Sequence, residues 1–147
     1  MIVVDTNVVA YLFLRGEFAA QAEAWLRDDR DWAAPLLWRS ELRNLLAGCL
    51  RRKRLTFEAV REIQREAEAL LLGNEHEVDS LRVLELVPDS DCSAYACEFV
   101  SVAMRPGVKL LTADSKVNEQ PRSKLRGINP KPKFLSWLAT GNRTQRD

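Results

Sequence analysis

Asp5, Glu41 and Asp114 are the side chains of this 147-residue sequence that could do chemistry together. Asp5 opens the triplet Asp5-Thr6-Asn7, which interrupts two apolar runs, Ile2-Val3-Val4 and positions 8–13. A carboxylate beside so much apolar surface is costly unless it is paired. It is therefore either a surface helix N-cap or a group held for chemistry. Glu41 belongs to a helical pattern in which positions 37, 41 and 45 share a face. Leu37 and Leu45 put it within or beside the apolar stripe, the alternative being a Glu that borders the stripe and reaches water. Arg39 and Arg43 are each two residues away and face it poorly. Asp114 follows an apolar run at 108–112, where an Asp is also an ordinary cap. The three acids count together. Two like charges about 4 Å apart repel by roughly 4 kcal/mol at an effective dielectric near 20, so a chain that converges them needs a cation. An all-oxygen donor set favours Mg²⁺ or Mn²⁺ over zinc or copper. The single histidine, His76, sits in the charged stretch 74–79 and is expected in solvent. It supports neither a His-based metal site nor a Ser-His-Asp triad.

The elements that must carry these acids alternate between strand and helix. Ile2-Val3-Val4 is a short buried strand, followed by helices over 8–14 and 17–27 separated by Gly16. Positions 32–34 make a second strand closed by Pro35. Apolar residues at 37, 38, 42, 45, 46 and 49 form one stripe of a helix. The run Arg51-Arg52-Lys53-Arg54 ends that pattern. Thr56 caps a helix from Phe57 to about 72, stopped by Gly73. Positions 81–87 form a helix or strand before Pro88. Ser93 caps a helix to about Met104, ended by Arg105-Pro106-Gly107, and 108–112 is the last strand. From about position 120, Pro121, Pro130 and Pro132 mark an irregular tail with a final turn around 134–138. Such alternation implies a parallel sheet with helices on both faces. Sheets of this kind bind ligands beyond the carboxyl ends of their strands, where the strand order switches. Asp5 and Asp114 both follow strands at that edge.

Length indicates one domain across 1–147, large enough to bury roughly 68–70% of its unfolded surface. With 46% hydrophobic and 29% charged residues the chain is globular, not disordered. A net charge of +1 does not announce a nucleic-acid binder, so local charge matters. Cys49, Cys92 and Cys97 lack zinc-type spacing and fit reduced cysteines of a cytoplasmic protein. No basic leader precedes Ile2, and no uncharged stretch approaches the ~18–20 residues of a membrane span.

Four segments carry a resemblance: VVDTNVVAYLF at the start, LWRSELRNLL in the middle, SAYACEFVSVA later and KLLTADSKV near the end. In order and spacing, over about residues 1–120, they resemble the motifs of PIN domains, most of all the VapC-type toxins of bacterial toxin–antitoxin pairs. The resemblance implies a Rossmann-like three-layer α/β/α sandwich with a central parallel sheet. It implies an Mg²⁺-dependent endoribonuclease whose site a small cognate antitoxin blocks. Asp5 matches the first family acid, Glu41 the second and Asp114 the last. Asn7 matches the amide near the first acid, and Thr112 the hydroxyl before the last.

One position departs from the pattern. Where such proteins usually read Tyr-Asp-x-x-Tyr/Phe, this chain reads Tyr95-Ala96-Cys97-Glu98-Phe99. Ala96 stands at the third acid, on a helical face shared with Phe99, Val100 and Ala103. Glu98 is about 200° around the helix and is expected to face elsewhere; Asp91 has the wrong register. The simplest account is an Asp→Ala substitution, natural or engineered, that attenuates or silences the nuclease. RNA binding does not need the acids, because phosphates are met by Lys and Arg. Arg51, Arg52, Lys53 and Arg54 form one such stretch. The acid-free tail with Arg122, Lys124, Arg126, Lys131, Lys133, Arg143 and Arg146 forms another. Tyr11, Leu12, Phe13, Leu14, Phe18, Trp25 and Leu26 make the early helices apolar most of the way round, which, with the resemblance, suggests a homodimer. The rival reading is a non-catalytic PIN scaffold that binds an antitoxin and serves in regulation. A Rossmann-like phosphatase fits less well, since no second Asp stands two residues after Asp5.

Overall fold

In a computed structural model, the structure describes residues 1–104 and 108–113. The expected breaker at 105–107, Asp114 and the basic tail lie outside the described residues. Among those described are four strands and six helices. They are β1 (Ile2–Val4), α1 (Thr6–Phe13), α2 (Ala19–Asp28), β2 (Trp32–Pro35), α3 (Leu37–Arg51), α4 (Phe57–Leu70), β3 (Glu75–His76), α5 (Ser80–Leu86), α6 (Ala94–Ala103) and β4 (Lys109–Leu111). The sheet is wholly parallel, in the order β3-β2-β1-β4. The result is the α/β/α arrangement that strand–helix alternation implies.

The order places the site. The chain steps outward from β1 to β2 to β3, then returns to the other side of β1 as β4. The strand order therefore switches between β1 and β4, and the crevice of a parallel sheet opens there. Ile2, Val3 and Val4 pair with Lys109, Leu110 and Leu111. This register puts the carboxyl ends of both strands level, at Asp5 and Thr112.

Packing explains why these short strands hold. Val3, Val4, Trp32, Ala33, Ala34 and Leu110 are buried on both faces of the sheet, as strands flanked by helices require. α6 crosses β1, β2 and β4, and α5 lies against it. α1 packs on α2, α3 and α4. Pro35 is tolerated in an inner strand because it is the last residue, pairing with His76, and the next amide, Leu36 N–H, completes the ladder to His76 carbonyl at 3.0 Å.

Two expectations are corrected here. β3 went unforeseen, and His76 is a half-buried strand residue, not a solvated one. No apolar pattern announces β3; a charged lock holds it. Glu75 accepts from Arg39 Nε and Nη2 at 2.6 and 2.9 Å and from Trp38 Nε1 at 2.7 Å, while Arg39 Nη1 lies 3.0 Å from Glu68. Arg39, foremost, holds the Glu75 carboxyl below the usual carboxylate range. Gly73, at φ 84°, turns the chain from α4 into this strand, a conformation that a side chain would resist.

The early apolar residues are buried to different degrees. Trp25 is buried, and Leu12, Phe13, Leu14 and Leu26 pack partly buried against the core. The Tyr11 and Phe18 rings meet at 4.9 Å between centroids. Of these side chains only Trp25 is buried within one copy of the chain; the others keep part of their surface exposed.

Candidate functional site

Asp5 is the hinge of the site and serves both roles its sequence position allows. Its Oδ1 accepts from Val8 N–H at 2.9 Å, so it is the N-cap of α1. The helix begins at Thr6, two residues earlier than the apolar pattern suggests, because the cap sits at Asp5. Its Oδ2 accepts from the Thr112 hydroxyl at 2.5 Å and from Ala113 N–H at 2.6 Å, across to the end of β4. The residue is only 7% exposed. Three donors offset its desolvation, and burial still raises its proton affinity above the ordinary value, with the charge of Glu41 adding to the rise.

Glu41 reaches the same place from α3. With Leu37 and Leu45 half-buried on its face of α3, it accepts from the Thr6 hydroxyl at 2.6 Å. The nearby guanidinia are engaged elsewhere: Arg39 with Glu75 and Glu68, and Arg43 with Ser40 at 2.9 Å. Thr6 was missed by the sequence reasoning. The only available signal was a hydroxyl in the first turn of a helix whose cap is an acid.

A cavity of about 240 Å³ collects Asp5, Asn7, Glu41, Thr112 and, from α6, Ala96 and Phe99. Ser93 caps α6 through Ala96 N–H at 3.1 Å, which sets the helix so that position 96 looks into the cavity with only a methyl group. Glu98 does not line it. Its carboxyl is nonetheless raised, first by burial and then by the charge of Glu41, so it lies within electrostatic reach of the acids. Asp114 is outside the described residues. Arg51, Arg52, Lys53 and Arg54 are exposed at the end of α3 and in the turn after it, and they do not line the cavity.

The donor set is oxygen alone: two carboxylates, an amide and hydroxyls. Such a set suits a hard divalent cation and not a soft one. Among the described residues no group of three acids, histidines or cysteines is assembled to hold a metal. Asp5 and Glu41 fit the role of cation ligands but do not complete a coordination sphere.

A buried Asp beyond a parallel strand end, at a switch in strand order and facing a half-buried Glu from α3, defines an α/β protein with an anionic crevice. The PIN domain family model matches residues 2–122, and the chain belongs to the PIN domain family. PIN domains are generally nucleases and typically use divalent metals. A search of curated proteins gave no match. Among solved structures, the chain is similar to PAE2754 from Pyrobaculum aerophilum, at TM-score 0.66 and 21% identity over 94% of this chain and 96% of that one. It is similar to FitAB bound to the IR36 DNA fragment, at TM-score 0.64 and 17% identity, covering 88% and 94%. FitAcB from Neisseria gonorrhoeae follows at TM-score 0.59 and 19% identity, covering 79% and 89%. These likenesses are of fold.

A charge test follows. Asp5 and Glu98 bind protons more tightly folded than at their ordinary values of 3.8 and 4.5. Their contribution to stability is therefore complete below that range and is lost as pH rises through the raised folded values. Glu41→Gln keeps an acceptor for Thr6 and removes the charge both groups feel. At neutral pH without metal it should raise the melting temperature by about 2–4 °C, the response to roughly 1 kcal/mol in a chain of this size. The gain should vanish in acid, and any Mg²⁺-induced rise should shrink. A neutral-pH loss of stability would show that Glu41 is not repelled there.

Proposed function

We propose that the protein is a divalent-metal-dependent endoribonuclease of the toxin kind, attenuated by Ala96 and neutralised in the cytoplasm by a cognate antitoxin. The observation that carries this reading is the convergence of Asp5 and Glu41 on one cavity whose α6 wall is Ala96. Resemblance to VapC-type toxins supports the RNA substrate and the antitoxin. Mg²⁺ or Mn²⁺ matches the oxygen donors, with Asp5, Glu41 and, by resemblance, Asp114 as ligands. When bound, the cation supplies charge for the phosphodiester and acidifies the attacking water. The chain's own residues do the positioning. Thr112 and Ala113 orient Asp5, and Thr6 orients Glu41; Asn7 is left at the cavity wall to face substrate. The whole sequence is read as a single domain, with a basic, Pro-containing sequence from about 120.

The second reading, a non-catalytic scaffold that binds an antitoxin and acts in regulation, is favoured by the same Ala96. One fold neighbour, FitAB, was solved on a DNA fragment, which supports regulation at DNA through a partner. A short reading frame for a DNA-binding protein immediately upstream would support the antitoxin under either reading.

Three measurements decide between them. Ala96→Asp should switch on Mg²⁺-dependent RNA cleavage. It should lower the metal-free melting temperature, because it adds a carboxylate to like charges, and enlarge the Mg²⁺-induced rise, because the cation binds only the folded state. No cleavage and no larger Mg²⁺ response would remove position 96 from the site, while full-rate cleavage by the Ala96 form would show that it is not silenced. Neutralising Arg51, Arg52, Lys53 and Arg54 should flatten the salt dependence of RNA affinity by roughly one unit of slope per lost phosphate contact; an unchanged slope takes this turn off the RNA surface. The homodimer rests on resemblance alone, and a light-scattering mass near 16.8 kDa at micromolar concentration would refute it.

A further inference from the structure

The acid cavity has a neighbour. A second concavity, of about 540 Å³, lies between α1 and α3 and shares Thr6, Asn7, Glu41 and Tyr95 with the first. Its remaining walls are Leu37, Ser40, Asn44 and Leu45, all from α3. A ligand group seated here would abut whatever occupies the acid cavity. The two differ in size and chemistry. The acid cavity is below the roughly 300–1,000 Å³ usual for small organic ligands, and its neighbour is within that range.

We propose that this second cavity seats an unpaired nucleobase of the single-stranded RNA whose phosphate lies at the acids, with Tyr95 as its stacking wall and Asn44 and Ser40 at its polar edge. The proposal rests on the nuclease reading and adds a base-recognition site to it.

Charge argues for a base over a phosphate. Among the described residues no Lys or Arg lines the cavity, and the one charged wall residue is Glu41, which repels an anion. A neutral planar ring is the part of a nucleotide that this lining admits. Shape agrees. Tyr95 is 64% exposed, so its ring stands open at the junction of the two cavities, while Phe99 one turn on is buried in the core. Unpaired bases stack on such aromatic faces. Leu37 and Leu45 supply apolar cover. Beside them on α3, the Asn44 amide makes no hydrogen bond among the described residues, and it offers one acceptor and two donors, the complement of a base edge. Ser40 Oγ takes one hydrogen bond from Arg43 and keeps its own proton to donate.

The test is equilibrium binding by fluorescence anisotropy, in EDTA so that no cleavage intervenes. It uses the full chain and labelled RNA hexamers of each single base beside an abasic hexamer. Tyr95→Ala should weaken base-bearing hexamers about ten-fold and leave the abasic hexamer unchanged. Tyr95→Phe, which keeps the ring, should bind like the parent. Asn44→Ala should narrow the spread among the four homopolymers without moving the abasic probe. The site is overturned if Tyr95→Ala binds all probes like the parent, if it loses the abasic probe equally, or if the parent binds no hexamer. The nuclease reading stands or falls separately on cleavage by Ala96→Asp: base-dependent binding without cleavage refutes that reading and keeps the seat, and the reverse refutes the seat alone.

Discussion

One carboxylate joins the parts of this molecule that matter. Asp5 ends β1, caps α1 and accepts two hydrogen bonds from the residues after β4. Taking an unpaired carboxylate out of water costs far more than one hydrogen bond returns, so its burial is tolerable only because three donors converge. Each donor belongs to a different constraint: the helix terminus, the strand-end hydroxyl and the backbone beyond it. Glu41 enters through the next residue, Thr6, so the second acid is placed relative to the first by a single peptide unit.

Among the described residues the cations near α3 are engaged away from this arrangement. Arg39 is drawn into the lock with Glu75, Glu68 and Trp38, which ties α3 to β3 and fixes the helix carrying Glu41. Arg43 turns to Ser40, and the Arg51 to Arg54 run lies past the far end of α3. Among the described residues the cavity is lined by carboxylates and by no Lys or Arg. At position 96 the α6 wall offers the cavity only a methyl group, and Glu98 shares the field of Glu41 but not the cavity.

Much of this was legible in the residues. The apolar runs at 2–4 and 32–34, with the mostly apolar Val108-Lys109-Leu110-Leu111-Thr112, gave three of four strands, because strands buried on both faces are largely apolar. Thr56 and Ser93 marked their helices because capping is a local contact between a hydroxyl and an amide three residues on. Leu37 and Leu45 pointed Glu41 inward for the same reason of local periodicity. What escaped depends on distant partners. β3 is a polar pair held by side chains 36 and 37 residues away, and Thr6 meets an acid 35 residues on. The half-burial of the α1 and α2 apolar residues depends on which helices pack over them, which periodicity does not tell.

The clamp on Asp5 spans 107 residues of chain. α1, α3 and the β1–β2 pair can form from contacts closer in sequence, but closing a loop of this length carries an entropic penalty that short-range structure avoids. The acid cavity is thus complete only once contacts 107 and 108 residues apart in the chain are made. Any chain that stops short of Thr112, whether still emerging from a ribosome or cut by a protease, holds Asp5 with one donor out of three. In such a chain the carboxylate has every reason to stay in water, and the first wall of the cavity does not exist.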